Sequence, residues 1–273
     1  MIELAAEGVT ASIDQAHGGR LASLRIDGTE LLVGPWDEAD ASIRWGCYLM
    51  APWPGRLADA HLDWRGTRIQ LERTHGRHAI HGLVTGVDWS VERVEAATAE
   101  LSVSLDRGGW PFGGLVRQRF RLEPGRLVID AAIVVGRAAM PAALGWHPWF
   151  LRRGDPSLRA DGDHVLEARG MIPTGRLVPV AGKLDLRSSP SLGRRRLDDA
   201  YIGVRPPLEI AWPDLGLRLE TEPWLSTVVV YTPSGAVCVE PQTAWPNLGQ
   251  GARILEAGES LDASLTLAWT RRG

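Results

Sequence analysis

The stretch Gly145-Trp146-His147-Pro148-Trp149-Phe150 sets one imidazole between tryptophans and beside a proline. Imidazole is the side chain best suited to moving protons near neutral pH, and proline restricts the backbone next to it. Indole faces pack well against the C–H faces of sugars and other flat, half-apolar ligands. His147 therefore reads either as a buried structural histidine or as a proton donor over a bound ligand. A second ionisable group, Glu240, ends an apolar run in Val237-Cys238-Val239-Glu240-Pro241-Gln242-Thr243. Burial raises a carboxyl's pKa, which suits a general base. A structural glutamate satisfied by backbone donors is the plainer reading. Glutamate plus histidine on a concave β surface supports proton transfer with no cofactor.

Two further places combine polar function with rigid surroundings. Ala51-Pro52-Trp53-Pro54-Gly55-Arg56 is a stiff bend from which Arg56 emerges. A guanidinium so placed can bind vicinal hydroxyls or a carboxylate in a paired way, or simply pair with a structural acid. Thr74-His75-Gly76-Arg77-His78-Ala79-Ile80-His81-Gly82 has a His-x-x-His-x-x-His spacing. A cupin-like metal site built from His75, His78, His81 and Glu240 is one reading. Period three, however, does not align three side chains on one face of a strand, so no metal is expected. Gly82 allows a ligand or the chain itself to come close to His81.

These residues need a scaffold, and the periodicity is that of strands. Leu101-Ser102-Val103-Ser104-Leu105 alternates with period two. Residues 116–122 and 126–135 read as a hairpin across Pro124-Gly125. Residues 215–219, 227–231 and 264–269 show similar runs, and residues 63–67 read as a tight turn. No stretch longer than about ten residues has a helical period. Residues 152–162 and 181–196 read as loops, and Arg194-Arg195-Arg196 as a solvated part of the second. With 31 glycines and 18 prolines, the expectation is an all-β antiparallel sandwich or barrel. Strand patterns continue on both sides of each loop, so residues 1–273 are expected to form one domain.

Composition excludes several functions. The net charge of −3 does not suggest a nucleic-acid partner. The only cysteines, Cys47 and Cys238, lie far apart and read as reduced and cytosolic. No basic leader and no apolar run of about 18 residues is present, so neither a secretory signal nor a membrane span is expected. Phosphate loops, a Gly-x-Ser-x-Gly elbow and His-Glu-x-x-His are all missing. Twelve tryptophans against three tyrosines and three phenylalanines is unusual. Several must be core, and those beside His, Pro or Arg read as ligand walls. Monomer and homodimer are both compatible with this composition.

Taken in order, these segments resemble the aldose 1-epimerase (galactose mutarotase) family over nearly the whole chain. The series runs from His17-Gly18-Gly19-Arg20 through Gly55-Arg56, Ile80-His81-Gly82, His147-Pro148-Trp149 and Leu197-Asp198-Asp199-Ala200-Tyr201 to Glu240-Pro241-Gln242-Thr243. The resemblance implies a mutarotase-type antiparallel β-sandwich (a supersandwich) with a sugar cleft on the broad sheet. It implies an isomerase that interconverts the α and β anomers of a monosaccharide without a cofactor. Glu240 matches the base for the anomeric hydroxyl, His147 the acid for the ring oxygen, and His81 the second histidine. Arg56 and Asp198 match substrate-binding residues, with Asp199 an alternative to Asp198. Trp53, Trp146 and Trp149 are expected as walls and Gln242 as a further contact, with acid and base on opposite sides of the sugar. The chain departs from galactose-type members at Gly55, His78, Trp149 and Asp199, which leaves the sugar open among neutral, acidic and phosphorylated ones. A non-catalytic sugar-binding protein on the same scaffold is the alternative.

Overall fold

Alternating runs in this chain become antiparallel strands with one face in and one face out. In the computed structural model, which describes residues 1–35 and 43–272, Leu115–Glu123 and Arg126–Val134 pair as a hairpin. Their inward side chains, among them Val116, Phe120, Ile129 and Ile133, are buried. The outward face carries Arg119 beside Glu100 and Arg121 beside Asp130. Such exposed pairs contribute about 0–1 kcal/mol each, so the inward apolar face is what holds the hairpin.

This hairpin lies in an eight-stranded sheet. Its spatial order is Ser90–Glu95, Thr98–Ser104, Leu115–Glu123, Arg126–Val134, Ser260–Arg271, Leu215–Thr221, Arg205–Ala211 and Ser157–Asp161. The other layer is an eleven-stranded sheet. It runs Ile2–Ala6, Val9–Asp14, Arg20–Ile26, Cys47–Met50, Gly145–Leu151, Ala236–Gln242, Thr227–Tyr231, Asp198–Ile202, His164–Arg169 and Ile172–Pro179, with Thr29–Glu30 paired beside Arg20–Ile26. Neither sheet closes on itself. One apolar cluster joins them, with Leu24, Phe150 and Val239 from the larger sheet and Phe120, Ile129 and Leu265 from the smaller. The architecture is an antiparallel β-sandwich of two open sheets, as the sequence led one to expect. Among the described residues there is no α-helix, only short 3₁₀ turns, and no helix is long and apolar enough to cross a membrane.

The middle strands of the larger sheet are buried on both faces. Cys47–Met50 and Ala236–Gln242 are buried at every position. Strands covered on both sides read as continuous apolar runs rather than alternating ones, which is the pattern of residues 236–239. Here the inner face meets the core, and the outer face forms a cleft floor with its own small cluster of Tyr48, Met50, Trp149, Ala236 and Cys238. One loop expectation is corrected: residues 152–162 contain the strand Ser157–Asp161, which pairs with Arg205–Ala211 at the edge of the smaller sheet.

Candidate functional site

Three neighbouring strands bring the candidate acid–base residues together. Gly145–Leu151 pairs on one side with Cys47–Met50, setting His147 opposite Tyr48. On its other side it pairs with Ala236–Gln242, with Gly145 opposite Gln242 and Trp149 opposite Cys238. That register puts Glu240 beside His147, although 93 residues separate them in sequence. The His147 Nε2 to Glu240 Oε1 distance is 3.2 Å. Farther along the sheet, Glu240 pairs with Val229, which pairs with Ala200. Alternation then places Asp198, two residues from Ala200, on the same face, and Asp199 on the opposite phase. Both aspartates line the cavity, whose volume is about 680 Å³.

A short ribbon above the sheet supplies the remaining polar groups. Arg56–Leu57 pairs with Ala79–Ile80, and the His81 N–H donates to the Gly55 carbonyl at 2.8 Å. The two sequence motifs are thus knitted into one element. Gly82 has φ +80°, and a Cβ there would lie 2.0 Å from the Ala51 carbonyl oxygen. The close approach permitted by this glycine is made by the chain itself. His81 meets His147 edge to face at 5.1 Å, and the Tyr48 ring packs against both, at 5.8 and 4.9 Å. Trp149 lies parallel to the His147 ring, with centroids 5.3 Å apart. Gln242 is fully buried and its Nε2 donates to Glu240 Oε2 at 3.4 Å.

Burial dominates the electrostatics. Glu240 is held well above the usual carboxylate range by desolvation, with the Asp198 charge adding and Arg56 and Gln242 opposing. Desolvation pushes His147 well below its ordinary value, and His81 adds to this. His81 is lowered to about 3, by burial first and then by Arg56 and His75. Asp198 is raised, again by desolvation first, with Arg56 opposing. These directions agree on one arrangement. Burial disfavours the Glu240 carboxylate and the His147 imidazolium alike, so both shifts favour the uncharged forms. Polar capacity also remains unspent here: His81 Nδ1, His147 Nδ1, Trp149 Nε1 and Gln242 Oε1 are buried without a hydrogen-bond partner.

Comparison with known proteins places this geometry. The aldose 1-epimerase family description matches residues 1–268. The chain belongs to the aldose 1-epimerase family. Among curated relatives, the uncharacterized protein YihR of Escherichia coli K12 is 29% identical over 154 residues, 55% of this chain and 49% of YihR. The match thus spans about half of that relative's length. A galactose mutarotase-like protein from Clostridium acetobutylicum superposes with TM-score 0.88 at 16% identity, covering 99% of this chain and 95% of that one. Galactose 1-epimerase from Lactobacillus acidophilus NCFM superposes with TM-score 0.83 at 18% identity, covering 99% and 94%. At these identities the structural likeness concerns the fold.

Within this family fold, several placements differ from the sequence-based expectation. Trp146 and Trp53 do not line the cavity that holds His147 and Glu240, although Trp53 reaches a neighbouring pocket beside His75 and Ile80. Trp146 is fully buried in the core between the sheets, because it has the opposite strand phase to His147 and Trp149. Trp53 is also fully buried, packed against Trp110 at 5.7 Å. His147 and Glu240, expected on opposite sides of a bound sugar, stand side by side at 3.2 Å, since adjacent strands carry them. The three-histidine motif does not converge. His78 Nδ1 accepts from the Asp59 N–H at 3.0 Å, while His81 turns to His147. Among the described residues, no three His, Cys, Asp or Glu side chains are grouped to hold a metal. Tyr48 and Tyr231 at the cleft were missed. Their signal was the phase they share with His147 and Glu240 across paired strands.

Proposed function

We propose that the protein is an aldose 1-epimerase that interconverts the α and β anomers of a monosaccharide by acid–base ring opening. The observation that carries this reading is the 3.2 Å contact between the buried His147 and Glu240 side chains. A hemiacetal opens when its anomeric hydroxyl loses a proton and its ring oxygen gains one. Both oxygens are bonded to the same carbon, so an adjacent acid and base serve them better than a pair set across the ring. In the reactive form Glu240 is a carboxylate and His147 an imidazolium, reached from the neutral form by moving one proton across their contact. Glu240 takes the O1 proton, and His147 gives its proton to the ring oxygen. The carbonyl carbon then rotates about its bond to C2, and the same two transfers in reverse close the ring on either face. His81, neutral near pH 7, offers a hydrogen bond to the sugar, and Arg56 and Asp198 hold its hydroxyls.

The test is anomer exchange by NMR or polarimetry over a panel of freshly dissolved sugars. The wild type accelerates exchange of at least one sugar. Glu240→Gln and His147→Asn each lower kcat by about 10²- to 10⁴-fold, the range for one general acid or base. The rate profile is bell-shaped, because adding a second proton to the pair or removing its only one stops the cycle. Full activity in Glu240→Gln would overturn the assignment. Sugar binding without any exchange would make the protein a binder.

A further inference from the structure

The cavity extends well past the acid–base pair. Its volume is about 680 Å³. A hexose has roughly a dozen heavy atoms, and even at roughly 30 Å³ each, the liquid share of a water molecule, it fills about half of that space. The remainder lies along the sheet. From the strand of Glu240 the order runs through Thr227–Tyr231 and Asp198–Ile202 to the hairpin His164–Arg169 and Ile172–Pro179. At about 4.8 Å per strand, the hairpin begins about 14 Å from the Glu240 strand. With C1 anchored at the Glu240 end by proton transfer, remote carbons that run along the sheet reach the hairpin.

The wall at that end is aliphatic, formed by Leu166, Ala168, Met171, Pro173, Val178 and Leu184. The hairpin's own carboxylate, Glu167, is engaged by Arg176 and Thr174, and Asp198 and Asp199 lie on the adjoining strand. The turn of the hairpin adds a second observation. Gly170 and Met171 lie between the paired Arg169 and Ile172, with φ of 56° and 67°. A two-residue turn of this kind favours Asn or Gly, and a long apolar side chain is an outlier at positive φ. Met171 nonetheless keeps 38% of its surface exposed while lining the cavity. Backbone strain retained in this way concentrates at ligand-binding positions.

We infer that the hairpin wall is a second subsite, which takes an apolar acyl or alkyl substituent carried by the sugar on a carbon remote from C1. The inference rests on the epimerase reading above for the sugar's orientation. Ring opening requires a free C1 hydroxyl and an unsubstituted ring oxygen, so the substituent belongs at the far end, and C6 is the most accessible position. A second sugar unit suits the aliphatic part of this wall less well, because hydroxyls laid against it would lose water.

The experiment compares D-glucose and D-galactose with their 6-O-hexanoyl esters and with the 6-linked disaccharide melibiose. Exchange gives kcat and KM, and tryptophan fluorescence gives Kd. Each buried methylene is worth roughly fourfold in affinity. The esters should therefore show KM and Kd at least tenfold below the parent sugars. Met171→Asn suits the turn and should forfeit at least threefold of that gain while leaving exchange of the parent sugars unchanged. Equal KM and Kd for ester and parent would overturn the subsite, as would tighter binding of melibiose than of the ester. Tenfold tighter ester binding with no exchange of any sugar would uphold the subsite and remove the epimerase reading.

Discussion

Replacing His81 by asparagine should change how stability depends on pH, by an amount set by its burial. His81 is 8% exposed, flanked by the rings of Tyr48 and His147, and its pKa falls from 6.5 to about 3. Between those values the unfolded chain binds a proton at this site that the folded protein does not. Stability is therefore complete above pH 6.5, falls as pH drops, and levels off near pH 3. One proton corresponds to about 1.4 kcal/mol per pH unit, so the whole interval is worth about 5 kcal/mol, the lower end of a domain's total stability. His147 acts in the same direction. Glu240 opposes both, because its raised pKa makes the folded protein keep a proton that the unfolded chain releases above 4.5. The single variant removes the His81 contribution together with the part of the His147 shift that His81 causes. Urea unfolding followed by tryptophan fluorescence at pH 7 and pH 5 should show wild-type stability, relative to His81→Asn, falling by about 2 kcal/mol. The m-values should match, so that the difference is one of stability. A pH-independent difference between the two proteins would refute the claim that burial keeps His81 neutral.

The same strand phase that separates the tryptophans separates their effects. Trp146→Ala should cost about 3–5 kcal/mol of stability, whereas Trp149→Ala should mainly raise KM in the exchange assay. The reverse pattern would mean that the two faces are misassigned. Gly82→Ala should destabilise the fold by well over ~1 kcal/mol, because φ is +80° and the new Cβ meets the Ala51 carbonyl. Thermal unfolding measures this, and an unchanged Tm would contradict the close approach. Asp198→Asn should raise KM at least tenfold and shift both limbs of the rate profile to lower pH, since the Asp198 charge helps keep Glu240 protonated. Asp199→Asn should leave KM within about threefold, and a larger effect would move the binding role to Asp199.

Much of the architecture was legible because solvent imposes it locally. A strand with one wet face alternates, and the hairpin Leu115–Glu123 with Arg126–Val134 does so almost without interruption. The hairpin His164–Arg169 with Ile172–Pro179 escaped notice. Its register shifts between Leu166 and Ala168, and its edge strand is largely exposed, so no clean period marks it. The wall of the proposed subsite was therefore invisible in the sequence. The tryptophan error has a different source. Trp146 and Trp149 are three residues apart, and an odd separation on a strand sends side chains to opposite faces. That parity excluded one of them from the cleft as soon as the segment was read as a strand.

By itself the sequence determined which residue types were available for proton transfer, and that strands would carry them. It also carried the order of short motifs that marks the family, because local chemistry and local alternation are written in contiguous residues. Tertiary structure alone decided that Glu240 and His147 touch, that His81 comes down onto His147 from a separate ribbon, and that Asp198 rather than Asp199 shares their face. Those relations depend on strand register between segments far apart in the chain. A shift of one residue in any of these pairings would turn a side chain from the cleft into the core.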